Sequence, residues 1–419
     1  MSNIMIEGPR CIGGSIRVQG AKNSALPLLA AALIGEGESI IHNCPDLSDV
    51  EAAINILVQL GCKVKREGST VVIDSTSFNC SEIPDELMRE MRSSIVFLGA
   101  IIARCDVARL SFPGGCELGP RPIDLHISGL RQLGAKIEEN HGYLECSRDE
   151  RLKGCEIDLA LPSVGATENI MLAASTAEGT TVIRNAAREP EISDLADFLN
   201  GCGAKIHGAG ESSVVIEGVE RLHGTEHTVI PDRIVAATYM AAAAATRGHI
   251  TLNDVIPAHL YPVIPVFTEA GCEISVSGRE LTLIAPRRLK AVKMVRTMAH
   301  PGFPTDAQPP VMAMLTVAEG NSMFVENIFE NRYKHVGELT RLGAHIKVEG
   351  KVAVVEGVPG LYGANVEAGD LRGGAALLVA ALAAEGRTAI SGIKHIDRGY
   401  EKIVENFSRL GADLVRLEE

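Results

Sequence analysis

The sequence predicts an α/β protein built from six repeats, with buried helices and sheets that face outward. Three observations carry this. First, one short pattern recurs as Leu60-Gly61-Cys62-Lys63-Val64, Leu133-Gly134-Ala135-Lys136-Ile137, Cys202-Gly203-Ala204-Lys205-Ile206, Ala270-Gly271-Cys272-Glu273-Ile274, Leu342-Gly343-Ala344-His345-Ile346 and Leu410-Gly411-Ala412-Asp413-Leu414. Its glycines are 73, 69, 68, 72 and 68 residues apart, close to one sixth of the 419-residue chain, and a fixed period of this size marks a repeat architecture. Second, each glycine ends a stretch with apolar residues three and four apart, as in 49–60 and 333–342, where a left-handed helix stop is expected. In most units two alternating strands follow across a tight turn, as in 63–66 with 70–74 and 346–348 with 352–356. Third, an Ala-rich helix, a Gly and a strand precede these helices.

Taken in order, the Ala-rich helix and its strand fall at 25–33 and 37–42, then 169–177 and 179–184, 233–245 and 248–253, 310–318 and 320–326, and 373–384 and 386–391. The second repeat has a version without the Gly, 93–103 and 107–112. Helices apolar nearly all round belong inside, and the amphipathic partners cover them. Six such units could close as one ring or as two lobes of three, and the length exceeds one ordinary core, which favours two lobes. The expected division is 22–230 against 1–21 plus 231–419. The charged, His-bearing segment 219–232 reads as the crossing, and the early strand 16–19 could pair with either lobe.

Composition excludes several functions. Lys and Arg number 40 against 53 Asp and Glu, a formal charge of −13, which opposes nucleic-acid or polybasic membrane binding. Aromatics are 4% with no Trp, so base-stacking platforms are not expected. The longest apolar stretches run near ten residues, where a membrane span needs roughly 20. No basic segment leads into an apolar one at the start, so a cytoplasmic protein is expected. The 10 cysteines form no C-x-x-C pair and read as reduced thiols without metal, with Cys62, Cys202 and Cys272 as small core residues. Walker, dinucleotide, zinc-hydrolase and nucleophile-elbow motifs are absent from the sequence, and no cofactor is implied.

Irregular charged segments between repeat elements are the candidate site. Gln19-Gly20-Ala21-Lys22-Asn23-Ser24 precedes a buried helix; Asn23 or Ser24 could cap it, and Lys22 would add charge where a helix start attracts anions. The segment 112–124 holds six Gly or Pro in thirteen residues and carries Cys116 with Arg121 nearby, a setting that favours thiolate. Asp306, in His300-Pro301-Gly302-Phe303-Pro304-Thr305-Asp306, suits either an N-cap or a general base. Arg332, Arg372 and Arg398 sit near helix starts, where the guanidinium fork suits phosphate or carboxylate; salt bridges to Asp370 and Asp397 are the plain alternative. Arg92 and Arg233 complete a set of seven cations with Lys22, Arg121, Arg332, Arg372 and Arg398, Arg233 having Asp232 beside it. Opposed across a cleft, such cations suit a small multi-anionic ligand.

At these segments the sequence resembles the enolpyruvyl transferases along its whole length. The matching stretches are Gly20-Ala21-Lys22-Asn23, Met91-Arg92-Ser93-Ser94, Pro113-Gly114-Gly115-Cys116, Gly119-x-Arg121-Pro122-x-Asp124-x-His126, Ser163-Val164-Gly165-Ala166-Thr167-Glu168-Asn169, Phe303-Pro304-Thr305-Asp306, Glu330-Asn331-Arg332, Leu371-Arg372-Gly373-Gly374 and Asp397-Arg398-Gly399. The resemblance implies two inside-out, barrel-like α/β domains of three repeats each, with the active site in the cleft between them. It implies transfer of the enolpyruvyl group of phosphoenolpyruvate to the 3′-hydroxyl of UDP-N-acetylglucosamine, without cofactor or metal. It assigns Lys22, Arg121 and Arg398 to the phosphate of phosphoenolpyruvate, Arg332 and Arg372 to its carboxylate, and Asn23 to the same substrate's site. Asn23, Arg92, Arg121, Pro122, Ile123, Asp124, Leu125, Ser163, Val164, Gly165, Asp306 and Ile328 would line the UDP-sugar site. Asp306 would take the hydroxyl proton, and Cys116 would deliver a proton, form an adduct and react with fosfomycin. Lys22 and Arg398 would join these two in catalysis. Leu161 stands where family members often have Lys, and Glu117 and Pro120 also depart from the family pattern. A sister activity on shikimate 3-phosphate and a non-catalytic paralogue that regulates wall synthesis are the alternative readings.

Overall fold

The computed structural model describes residues 3–91, 93–112 and 123–417. Cys116, Arg92, Arg121 and Pro122, with Glu117 and Pro120, lie outside them. The chain divides into two compact units. One comprises residues 20–230, apart from those not described; the other comprises Met1–Gln19 and Pro231–Glu419. Gly20 and Ala21 therefore group with 22–230, and the Ala21 N–H donates to the Ile230 carbonyl.

The six repeats recur as six sheets. Each contains an edge strand running parallel to the strand that follows a buried helix, and then an antiparallel hairpin. In the third repeat, Glu156–Asp158 lies parallel to Thr180–Arg184, which pairs antiparallel with Ser213–Glu217, itself paired with Lys205–His207. The hairpins Lys63–Glu67 with Thr70–Asp74 and His345–Glu349 with Val352–Glu356 fall where alternation puts them. Apart from the early strand near residue 16, the short parallel edge strands carry no pattern of their own and are missing from the sequence reading.

Each unit closes with a strand from a distant part of the chain. Segment 219–232 is not a plain crossing: its Glu226–Thr228 pairs parallel with Glu38–His42 and supplies the first repeat's edge strand. The strand expected at 16–19 is Gly13–Arg17, two to three residues earlier, and it pairs parallel with His249–Asn253 of the fourth repeat. An unforeseen strand, Asn3–Gly8, sits between Ala384–Ser391 and Asp413–Leu417. The sixth repeat ends after its first hairpin strand, and Asn3–Gly8 takes the place of the second.

The Ala-rich helices are interior. In Arg233–Ala245 every residue after the first is buried, and it packs with Gln308–Leu315 and Leu371–Ala383. Small side chains let three backbones approach closely around one core. In the other unit, Val164–Ala174 packs on Val96–Arg104 and on Asp124–Gln132. Asn169 joins all three: its Nδ2 donates to the Ile95 carbonyl at 2.9 Å and to His126 Nδ1 at 3.0 Å, and its Oδ1 accepts from Gly99 N–H at 2.6 Å. No helix among the described residues is long and apolar enough to cross a membrane. The nine described cysteines are free thiols. Burial pushes Cys62 up to about 11, and Cys202 and Cys272 up to about 12, so these are packing residues rather than nucleophiles.

The glycine stops yield a graded prediction. Gly61 and Gly134 have φ of +94° and +102°; a Cβ on Gly134 meets nothing within 4 Å, whereas one on Gly61 comes within 2.9 Å of the Ser77 carbonyl. Gly134→Ala carries backbone strain alone, about 1–2 kcal/mol, and Gly61→Ala adds a clash with backbone. Thermal unfolding should rank them in that order, and equal midpoints would contradict it.

A second prediction concerns acid. Burial pushes His126 from 6.5 down to about 4, Asp124 opposing in part, so its neutral Nδ1 accepts from Asn169. The unfolded chain takes up this proton first, near 6.5. Native stability should therefore fall as pH drops from about 6.5 toward about 4. Urea midpoints measured across that window should show a shallower slope for His126→Gln, and an unchanged slope would remove His126 as the cause.

Candidate functional site

In the unit 20–230, Lys22 opens the helix Lys22–Ala32, whose N-cap is Ala21. Neither Asn23 nor Ser24 caps it, because both lie within its first turn. Ser24 Oγ instead donates to buried Asp194, which also meets His227 Nε2 at 2.9 Å. Lys22 Nζ pairs with Asp49 Oδ2 at 2.9 Å, the Lys side chain being 12% exposed and the Asp 3%. Asp49 lies in the first turn of Ser48–Gln59. A nearly buried carboxylate thus holds the ammonium over a helix start with no side-chain cap, a setting suited to an anion.

Ser163, Val164 and Gly165 form a second helix start. Ser163 caps Val164–Ala174, its Oγ accepting from Ala166 N–H at 3.3 Å. A Cβ at Gly165 would come within 2.9 Å of His126 Cε1, so glycine lets this turn lie against the imidazole. Through His126 the turn also meets Asp124–Gln132, the helix that begins at Asp124 with Ile123 as N-cap and Leu125 partly buried. Leu161, just before the turn, is 67% exposed.

The other unit holds Asp306, Ile328, Arg332, Arg372 and Arg398. Asp306 lies in the 3₁₀ turn Thr305–Ala307 and makes no cap. Its Oδ1 accepts from Arg332 Nη2 at 2.8 Å, and its Oδ2 lies 3.2 Å from Arg372 Nε and 3.1 Å from Arg372 Nη2. Both arginines are interior, at 1% and 2% exposure. Arg332 also donates through Nε and Nη2 to the Thr305 carbonyl at 3.2 and 2.8 Å. Arg372 Nη1 donates to Tyr400 Oη at 3.2 Å. Two guanidinium groups from different elements thus meet one carboxylate, Arg332 through Nη2 and Arg372 through Nε, in charge-assisted hydrogen bonds.

The alternative reading, a salt bridge of Arg372 with Asp370, is not what the structure has. Asp370 caps Leu371–Ala383, its Oδ1 accepting from Arg372 and Gly373 N–H at 3.0 and 2.9 Å, which leaves the guanidinium directed at Asp306. Asp397 pairs with Arg416 at 2.5 Å. Arg398, partly buried, is in a loop pinned by Gln19, whose Nε2 donates to Gly399 O at 3.2 Å and whose Oε1 accepts Glu401 N–H at 2.8 Å. Asp232 likewise caps the helix that Arg233 begins.

Several supporting residues had no distinct sequence signal. Buried Glu326 accepts Ile328 and Phe329 N–H at 2.8 and 3.1 Å and Thr305 Oγ1 at 3.1 Å, fixing the loop that presents Ile328 at 44% exposure. His335 Nδ1 bonds the Arg332 carbonyl at 3.1 Å, and burial pushes its imidazole down to about 4. Asp49 and Glu326 become interpretable only when separate elements meet, whereas His335 acts within its own turn, three residues from Arg332.

Known proteins resemble the chain along its whole length. The model of the EPSP synthase (3-phosphoshikimate 1-carboxyvinyltransferase) family matches residues 6–407. A UDP-N-acetylglucosamine 1-carboxyvinyltransferase 2 of Caldanaerobacter subterraneus is 54% identical over 417 residues, covering 100% of both chains. The crystal structure of the enolpyruvyl transferase NikO from Streptomyces tendae superposes with a TM-score of 0.89 at 27% identity, over 99% of this chain and 98% of that one. EPSP synthase from Acinetobacter baumannii shares the fold, with a TM-score of 0.77 at 19% identity and full coverage of both chains. Matched from end to end in sequence and in fold, the chain belongs to the enolpyruvyl transferase family and stands with the UDP-N-acetylglucosamine 1-carboxyvinyltransferases within it.

Proposed function

We propose that this chain transfers the enolpyruvyl group of phosphoenolpyruvate to the 3′-hydroxyl of UDP-N-acetylglucosamine and releases phosphate, the first committed step of peptidoglycan synthesis. The structural observation that carries the reading is the double-arginine grip on Asp306, a receptor shaped for a carboxylate. Relatives of this activity at 54% and 52% identity over nearly the whole chain favour it over the shikimate 3-phosphate reaction. Both substrates are cytoplasmic metabolites, and the activity is assigned there.

In this scheme Arg332 and Arg372 hold the carboxylate of phosphoenolpyruvate. Lys22, Arg121 and Arg398 hold its phosphate, with Asn23 in the same site. The UDP-sugar is bound by Asn23, Arg92, the 121–125 stretch, Ser163, Val164, Gly165, Asp306 and Ile328. Asp306 takes the proton of the 3′-hydroxyl as its oxygen attacks C2. Cys116 gives a proton to C3, so the methylene becomes a methyl group and a tetrahedral intermediate forms. Loss of a C3 proton then expels phosphate and restores the double bond. The cations stabilise charge in both steps and hold the reactants close.

The arrangement of Asp306 adds a consequence. Its carboxylate occupies the fork that the substrate carboxylate needs, so it is displaced when phosphoenolpyruvate binds, and displacement frees it to act as base. Asp306→Asn should lower kcat by roughly 10²–10⁴-fold, the usual scale for a lost general base, while phosphoenolpyruvate binds more tightly. Weaker binding in this variant would sink the displacement step.

The defining assay is phosphate release from phosphoenolpyruvate with each acceptor. Release with UDP-N-acetylglucosamine and none with shikimate 3-phosphate is expected; the reverse, or no release with either, overturns the assignment. Cys116→Ser should lose alkylation by fosfomycin, and unchanged sensitivity would remove Cys116 from the scheme.

A further inference from the structure

Arg372 is reached from its far side by a chain of hydrogen bonds that the proposed reaction does not itself require. Its Nη1 donates to Tyr400 Oη at 3.2 Å. Tyr400 Oη and Thr238 Oγ1 are 2.9 Å apart, and Thr238 Oγ1 donates to the Ile234 carbonyl at 2.9 Å. Tyr400 and Thr238 are 2% and 1% exposed, so water does not compete for these groups. Burial raises the Tyr400 phenol above its ordinary range, the Arg372 guanidinium opposing in part, and the phenol keeps its proton.

The direction of every bond is then determined. A guanidinium has donors only, so Tyr400 accepts from Arg372 and its own proton goes to Thr238. Thr238, having accepted, gives its proton to the Ile234 carbonyl in the first turn of Arg233–Ala245. The relay ends on backbone of a different buried helix from the one that carries Arg372. Asp370 meanwhile fixes the first turn of Leu371–Ala383, so backbone and side chain of Arg372 are restrained independently. A long flexible side chain loses entropy when it is held, and prior fixation removes that cost from ligand binding.

We propose that Tyr400, seated on Thr238, is a positioning residue that aims the Arg372 guanidinium at the carboxylate of phosphoenolpyruvate. The proposal rests on the assignment of Arg372 to that carboxylate. Tyr400 does not touch substrate; it acts through Arg372.

The test is steady-state kinetics of the full chain with both substrates varied. Tyr400→Phe keeps the ring and removes the hydroxyl, and should raise KM for phosphoenolpyruvate by about tenfold, the scale of one hydrogen bond to a charged group. KM for UDP-N-acetylglucosamine and kcat should stay within about twofold, on the same reasoning that only the carboxylate contact is loosened. Thr238→Val should shift the same constant in the same direction by less, and Thr238→Ser, which restores the hydroxyl, should return it to the parent value. If Tyr400→Phe does not fold, the Val and Ser pair decides alone. A parallel rise in both KM values, or a Thr238→Ser variant as impaired as Thr238→Val, overturns the proposal. Arg372→Ala separates the layers: if it raises KM for phosphoenolpyruvate while Tyr400→Phe and Thr238→Val do not, the relay fails and the assignment stands. If Arg372→Ala leaves that constant unchanged, the assignment itself fails.

Discussion

Burying two guanidinium groups sets the terms for the unit that carries them. Arg332 and Arg372 are 1% and 2% exposed, and an unpaired charge in such a place costs several kcal/mol or more. Partners therefore gather around these groups, although Arg372 Nη2 makes no hydrogen bond. Asp306 is held by both guanidinium groups, Thr305 offers its carbonyl to Arg332, and Tyr400 offers its oxygen to Arg372. Those partners need support in turn. Glu326 receives Thr305 and two backbone N–H groups, His335 holds the Arg332 carbonyl, and Asp370 is committed to the helix cap. The site is rigid because the charges inside it permit few other arrangements.

Such rigidity requires a frame that does not breathe, and the repeat architecture supplies one by closure. A row of three repeats leaves an open strand position at each end, and open edges invite slippage and aggregation. In one unit Glu226–Thr228 fills the position beside Glu38–His42. In the other, Gly13–Arg17 and Asn3–Gly8 fill positions beside His249–Asn253 and between Ala384–Ser391 and Asp413–Leu417. Strands from the chain's first residues thus complete sheets built mostly from its last half, and Gln19, directly after them, pins the Arg398 loop.

What was legible in the sequence was what local rules decide. Helix period, glycine stops and hairpin alternation are properties of neighbouring residues, so Arg233–Ala245 and the pair His345–Glu349 and Val352–Glu356 were visible within a residue or two. The short parallel strands were not, because three residues such as Glu226–Thr228 carry no periodicity and are strands only by virtue of a partner far along the chain. Site chemistry followed the same division. Asp306, Arg332 and Arg372 stood out as charges in irregular segments, yet Asp49 and Glu326 did not, since each earns its role through a contact between separate elements. Asn23 and Ser24 misled as caps because polar residues in a first turn look alike whether they cap or lie inside it.

The shared fork also accounts for how an acidic chain keeps a strongly cationic pocket stable. With −13 overall, diffuse attraction of anions is weak, and recognition must come from local geometry. Two buried guanidinium groups without a carboxylate between them would repel at close range and lack solvation. Asp306, 27% exposed at its side chain, sits at the margin of that pair, where it can neutralise them and still reach solvent. On the proposed assignment, binding exchanges one carboxylate for another, so the arginines are paired before and after. The exchange leaves the free enzyme stable, makes substrate binding compete with an internal ligand, and couples arrival of phosphoenolpyruvate to release of the base that the sugar hydroxyl requires.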